Sequence, residues 1–258
     1  MSAPVLEVRA LTRRFGALAA LDKVSLSVAE GSVLGVIGPN GAGKSTLINL
    51  VTGHLRPTAG RVLVDGVDVT GAKPWRIAHA GVGRTFQIVK PFRGMTVREN
   101  IAISAMYSRN RRGRRAAFEA ADRMLERIGL TRFTTSDPGS LSVGDARRLE
   151  LARALVAEPR LLLLDEVMAG LRAGEIDQMI ALIRELPAEG VTVVAVEHVI
   201  AAITAVSDEL AVLHHGELLT RGDPHTVLGD DRVIEAYLGA RYARRAQAPN
   251  AIQASEQS

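Results

Sequence analysis

The spacing of apolar positions changes character several times along the chain, and each change predicts an element. Near the start, Val5-Leu6-Glu7-Val8 and Leu21-Asp22-Lys23-Val24-Ser25-Leu26-Ser27-Val28 alternate in strand fashion around a turn at Phe15-Gly16-Ala17. Runs that are apolar almost throughout come next at wide intervals: Ser32-Val33-Leu34-Gly35-Val36-Ile37, Leu161-Leu162-Leu163-Leu164 and Val191-Thr192-Val193-Val194-Ala195-Val196. Strands of that kind are covered on both faces, as in a parallel sheet. A hairpin is expected around Asp65-Gly66, a strand from Gly81 to Phe86 ending at Gln87, and a second hairpin around His214-His215-Gly216. Helical spacing, with apolar residues at i, i+3 and i+4, occupies Val97 to Leu130, then a helix opened by Leu141–Glu150 and running to about Val156. Further helices are expected from about Glu175 to Leu186, closed by Pro187, and from about Thr226 to Leu238. The chain is of the α/β class.

Composition adds bounds. At 258 residues the chain can bury one large α/β core, and its formal charge of +4 does not by itself argue for nucleic acid. Cysteine is absent, so neither disulfides nor thiolate metal sites are available. The first residues lack the basic start and apolar core of a signal peptide, and no apolar run approaches the length of a membrane span.

Between the first buried run and the helix that begins near Thr46 lies Gly38-Pro39-Asn40-Gly41-Ala42-Gly43-Lys44-Ser45-Thr46, a full match to the phosphate-binding pattern G-x-x-x-x-G-K-[ST]. Glycines there let successive backbone N–H groups converge on an anion at a helix N-terminus. Lys44 is expected to reach the β- and γ-phosphates of a nucleoside triphosphate, and the Ser45 hydroxyl to ligate Mg²⁺. Asp165 and Glu166 stand at the C-terminal end of the second buried run, where α/β sheets bind ligands. Adjacent acids can simply mark a turn; beside a phosphate loop they read as a Mg²⁺-water ligand and a general base. His198 ends the third run and is either structural or a γ-phosphate contact. Phe15 is either an ordinary core aromatic or a platform for an adenine ring. The run Arg109-Asn110-Arg111-Arg112-Gly113-Arg114-Arg115 reads as a solvated loop, with an anionic partner as the alternative. His214 and His215 are discounted as a metal pair, because neighbours in a strand point to opposite faces.

Taken in order, these segments resemble the ATP-binding subunits of ABC transporters over roughly residues 5–239. Gly38–Thr46 resembles the Walker A loop, Gln87 the Q-loop glutamine, Leu141-Ser142-Val143-Gly144-Asp145 the signature, and Leu161–Glu166 Walker B with its catalytic glutamate. Ala169-Gly170-Leu171 is similar to the D-loop, His198 to the switch histidine and Phe15 to the adenine-stacking aromatic. Gly83-Arg84-Thr85-Phe86-Gln87, Val196-Glu197-His198 and Val233-Ile234-Glu235-Ala236-Tyr237-Leu238-Gly239 narrow the resemblance to the longer ATPase of importers for branched-chain and other hydrophobic amino acids.

The resemblance implies a P-loop NTPase core with an antiparallel β subdomain and an inserted helical subdomain at about 88–158, in one domain spanning 1–239, with a disordered tail at 240–258. It implies ATP and Mg²⁺ as ligands, with Ser45, Gln87 and Asp165 toward the metal. Phe15, Gly38, Asn40, Gly41, Gly43, Lys44, Ser45 and Thr46 would hold the nucleotide; Ser142 and Gly144 would reach it from a second subunit. Glu166, His198, Gln87 and Lys44 would carry hydrolysis. The expected partners are two polytopic permease subunits, a second ATPase and, indirectly, a solute-binding protein, at the cytoplasmic face of the membrane and without nucleic acid. Two departures stand out. Val143 and Asp145 replace the usual Gly and Gln of the signature, and Arg172 replaces a small polar residue or Asp after the D-loop. Asp145 is spaced to pair with Arg148. Rival readings are an exporter ATPase, or a soluble ATPase acting on nucleic acid or ribosomes.

Overall fold

The computed structural model describes residues 4–87, 91–110 and 112–238. The alternating N-terminal segment closes into a hairpin of β1 (Pro4–Phe15) and β2 (Leu18–Ala29). With β4 (Ala59–Val64) and β5 (Val67–Asp68) it makes an antiparallel sheet in the order β2-β1-β4-β5.

The apolar runs become the centre of a second sheet: β3 (Val33–Ile37), β6 (Val82–Arg84), β7 (Leu161–Asp165), β8 (Thr192–Val196), β9 (Glu209–His214) and β10 (Glu217–Gly222), in the order β10-β9-β3-β8-β7-β6. All pairings are parallel except β9–β10. Every residue of β3, β7 and β8 is buried. The reason is the two-residue period of a strand. Leu161 and Leu163 face a core shared with the antiparallel sheet and α1 (Lys44–Val51), while Leu162 and Leu164 face a core built with helices on the other side. Those helices include α5 (Val143–Leu155), α6 (Ala173–Glu185) and α7 (Ile200–Val206). A third core joins α3 (Val97–Met106), α4 (Arg114–Arg127) and the other face of α5. Parallel direction has one consequence above all: the C-terminal ends of β3, β6, β7 and β8 open at the same sheet edge.

Several expectations are corrected. The strand before Gln87 has three residues: Thr85 still donates its N–H to Leu163 O, but Asp165 N–H is taken by the Thr85 hydroxyl instead of a backbone carbonyl, and the ladder ends there. α6 starts at Ala173 and ends at Glu185, so Pro187 lies just beyond it as expected, in a 3₁₀ turn (Leu186–Glu189). The last helix is two, α8 (Pro224–Leu228) and α9 (Asp231–Leu238). Arg109, Asn110 and Gly113 are exposed and outside any helix, as expected of a solvated loop, with Asn110 and Arg112 bonding Glu158, but Arg114 and Arg115 already open α4; Arg111 lies outside the described residues. His214 and His215 do not point apart: His215 has φ of 48°, which turns it back until the two rings lie 4.0 Å centre to centre. No group of three or more potential metal-binding side chains occurs among the described residues. α2 (Pro74–His79) and α7 are helices that the apolar pattern does not announce. The tail at 240–258 and Gly239 lie outside the described residues. No described helix is long and apolar enough to cross a membrane.

Candidate functional site

The phosphate-loop segment leaves β3 at Gly38, whose φ is 152°. A side chain there would collide with the Leu213 carbonyl, 2.1 Å from the position of a Cβ. Gly43, with φ of 108°, approaches Ala20 O of β2 just as closely as a missing side chain permits. Gly43 also caps α1 without any side-chain hydrogen bond, so the first N–H groups of the helix are left to point into the loop. Lys44 is buried and donates from Nζ to Gly38 O at 2.6 Å and Pro39 O at 3.0 Å. Burial lowers its pKa, opposed by the carboxylates of Glu166 and Asp165.

A cleft of about 380 Å³ is lined by Phe15, the loop from Asn40 to Thr46, Glu166 and His198. Phe15 is 46% exposed and lines the cleft, with the Arg13 guanidinium over its ring at 4.4 Å from the centre; it is no core aromatic. Glu166 is nearly buried and adopts φ of 53°, a strained value for a side-chain-bearing residue. Its two carboxylate oxygens are taken by different elements: Oε2 accepts from Gln87 Nε2 at 2.6 Å, and Oε1 contacts His198 Nε2. A neighbouring cavity of about 390 Å³ touches Ser45, Gln87 and Asp165 together. Thus the structure gathers Phe15, the loop residues, Gln87, Asp165, Glu166 and His198 at one sheet edge. It does not bring Ser142 or Gly144 into either cavity.

Ser142 instead caps α5, accepting Asp145 N–H at 3.1 Å and donating its hydroxyl to Asp145 Oδ2 at 2.8 Å. Asp145 is buried and paired with Arg148 at 2.6 Å, as its spacing foretold, so its charge is neutralised within the helix. Val143 is 60% exposed and lies against Gly170. Signature and D-loop therefore share one outer face.

Three further residues hold the site, and none was singled out for it from sequence. Arg84 donates to Asp165 Oδ2 at 3.1 Å, Asn49 Oδ1 at 2.8 Å and Thr52 Oγ1 at 3.1 Å, tying the end of β7 to α1. Burial raises the Asp165 pKa, and Arg84 opposes the rise. Glu150 and Arg147 of α5 grip both backbone groups of Phe86, at 2.8 Å and 3.2 Å, next to Gln87.

Against these features stand the known proteins. The family model for ABC transporters matches residues 21–169. The chain belongs to the ABC transporter family. Among other members of the family, it is 42% identical to the high-affinity branched-chain amino acid transport ATP-binding protein BraF of Pseudomonas aeruginosa, over 93% of this chain and 99% of that protein. The ADP conformation of the ABC transporter cassette MJ1267 is similar with a TM-score of 0.85 and 34% identity, covering 92% of this chain and 100% of that one. A dimeric post-hydrolysis cassette, MJ0796 bound to ADP and Pi, follows with a TM-score of 0.77 and 25% identity over 85% and 98% of the two chains. For this ABC-family chain the donor set fits the group the family implies: a side-chain-free cradle at Gly38 and Gly43, an uncapped helix start, and hydroxyl, carboxylate and amide oxygens at Ser45, Asp165 and Gln87.

Glu197 adds a titration to the same edge. Burial raises its carboxyl from 4.5 to about 7, opposed by the Met168 N–H it accepts. Between those two values the folded protein keeps a proton that the unfolded chain has released, so stability falls as pH rises through that window. Glu197→Gln is expected to remove this loss, gaining about 3 kcal/mol on the parent between pH about 5 and about 8. Urea unfolding of both proteins at the two pH values checks it; a constant difference would refute the assignment.

Proposed function

We propose that this chain is the ATP-hydrolysing subunit of an importer for branched-chain amino acids or related small solutes, held at the cytoplasmic face of the membrane. The observation that carries the reading is Glu166, gripped by Gln87 and His198 at the mouth of the phosphate-loop cleft. The Pseudomonas relative is named for high-affinity branched-chain amino acid transport, which favours an amino-acid solute over the lipid or polysaccharide of the export reading.

Each residue has a role that its surroundings support. Phe15 stacks on the adenine ring, and the loop from Gly38 to Thr46 receives the phosphates on its backbone N–H groups. Lys44 turns from its own loop carbonyls toward the β- and γ-phosphate oxygens. Ser45, Asp165 and Gln87 would hold Mg²⁺, which would supply positive charge beside the phosphate oxygens. Glu166 orients water through a carboxylate oxygen and takes its proton, while His198 steadies the γ-phosphate and keeps Glu166 aimed.

Ser142 and Gly144 stand on the outer face with the D-loop, which suits the docking of a second ATPase head to tail, so that each nucleotide is completed by the signature of the other subunit. The exposed Val143 belongs to that contact. The helical subdomain at about 88–158 faces two polytopic permease subunits, a solute-binding protein delivers the solute, and nucleic acid has no part.

The Glu166→Gln variant, tagged in its own host and solubilised in mild detergent with ATP and Mg²⁺, is expected to retain two polytopic subunits and a second, shorter ATPase, identified by mass spectrometry. Recovery only as a soluble protein with nucleic acid or ribosomes would overturn the transport reading.

A further inference from the structure

Glu166 and His198 are carried by different segments, the turn after β7 and the end of β8. A third side chain joins those segments. Glu197 is 1% exposed, and its Oε1 accepts the backbone N–H of Met168 at 2.8 Å. The backbone N–H of His198, next along the chain, also favours the charged form of that carboxylate. Around it a ring of contacts closes: Glu166 N–H donates to Val196 O at 2.9 Å, and His198 Nε2 meets Glu166 Oε1.

Packing alone gives no reason for a carboxylate here. Oε2 of Glu197 is buried without a hydrogen-bond partner, and the charge of Glu166 acts against its own. A neutral side chain of similar volume would avoid that cost. A costly group is tolerated where it fixes geometry that the fold would otherwise relax. The geometry at stake is the turn holding Glu166 at φ of 53°.

Building on the roles assigned above to Glu166 and His198, we propose that Glu197 is a positioning residue for ATP hydrolysis: it clamps the Met168 turn to the strand that bears His198 and so sets the separation of the two catalytic side chains. It touches no substrate. Its loss lowers turnover without weakening ATP binding.

The full-length chain is compared with Glu197→Ala, Glu197→Gln and Glu197→Asp by ATP turnover and by amide hydrogen exchange at Met168. Glu197→Ala is expected to lower kcat at least tenfold with KM for ATP within twofold of the parent, and to accelerate exchange at Met168. Glu197→Gln keeps an acceptor oxygen and restores kcat to within threefold, with exchange protected. Glu197→Asp keeps the charge but falls one methylene short, and behaves like the alanine variant. Parental kcat in Glu197→Ala or Glu197→Asp, or unchanged Met168 exchange in both, overturns the proposal; should the alanine variant not fold, the aspartate variant decides alone. Glu166→Gln is run in parallel. Parental turnover there would instead remove the base assignment, and the exchange result would still report on the clamp.

Discussion

Glu166→Gln is expected to lower steady-state ATP turnover by at least 100-fold while ATP affinity stays within about threefold of the parent, since a positioned general base contributes roughly 10²–10⁴ in rate. The reason lies in what the two side chains can accept. The Glu166 carboxylate takes a hydrogen bond from Gln87 Nε2 and another contact from His198 Nε2, and keeps lone pairs for water. A glutamine of the same shape has one acceptor oxygen and one donor nitrogen, so it keeps both contacts only if His198 Nε2 accepts, and it leaves no carboxylate oxygen for water. It also cannot take a proton. Binding should be spared, because the cradle of Gly38, Gly43 and Lys44 does not depend on that carboxylate for its fold. Phosphate release under saturating ATP, with equilibrium nucleotide binding measured beside it, checks both halves. Turnover near the parental rate would show that another group activates the water.

Arg84→Met is expected to destabilise the fold by about 3–5 kcal/mol, the usual cost of leaving one member of a buried ion pair alone. The side chains of Arg84 and Asp165 are 11% and 6% exposed, so solvent replaces little of what is lost. The guanidinium fork also serves Asn49 and Thr52, which a methionine of similar volume cannot do. Chemical denaturation without added divalent cation measures the loss directly. A loss under about 1 kcal/mol would mean that Asp165 is solvated or protonated without its partner.

The strands that build the site were legible because burial on both faces leaves a local trace: Leu161–Leu164 and Val193–Val196 carry no polar side chain between them. The phosphate loop was legible because its glycines answer to backbone geometry within a single turn. Ser142, Asp145 and Arg148 were legible in part, being neighbours on one helix. The fastening of the site was not. Arg84 finds Asp165 across 81 residues, and Glu197 finds Met168 across 29, so neither partnership leaves a spacing in the chain. The one available hint was a charge placed directly after a buried run, as at Glu197. α2 and α7, of six and seven residues, are too short to display a helical period. His214 and His215 misled for a different reason: period-two reasoning holds inside a strand, and His215 already belongs to the turn.

α5 has 13 residues and so spans about 20 Å. It belongs to two cores, through Leu151 and Leu155 toward the parallel sheet and through Leu149, Ala152 and Val156 nearby toward α3 and α4. Those anchors crowd its C-terminal half and make a fulcrum there, while Ser142 caps the opposite end. A tilt of only about 5° about that fulcrum would carry Ser142 by somewhat over 1 Å, roughly the interval between a hydrogen bond made and one lost. Glu150 and Arg147, gripping Phe86 from along the same arm, would pass a smaller share of the stroke to Gln87. A rod moving in this way would shift both contacts together, each in proportion to its distance from the fulcrum.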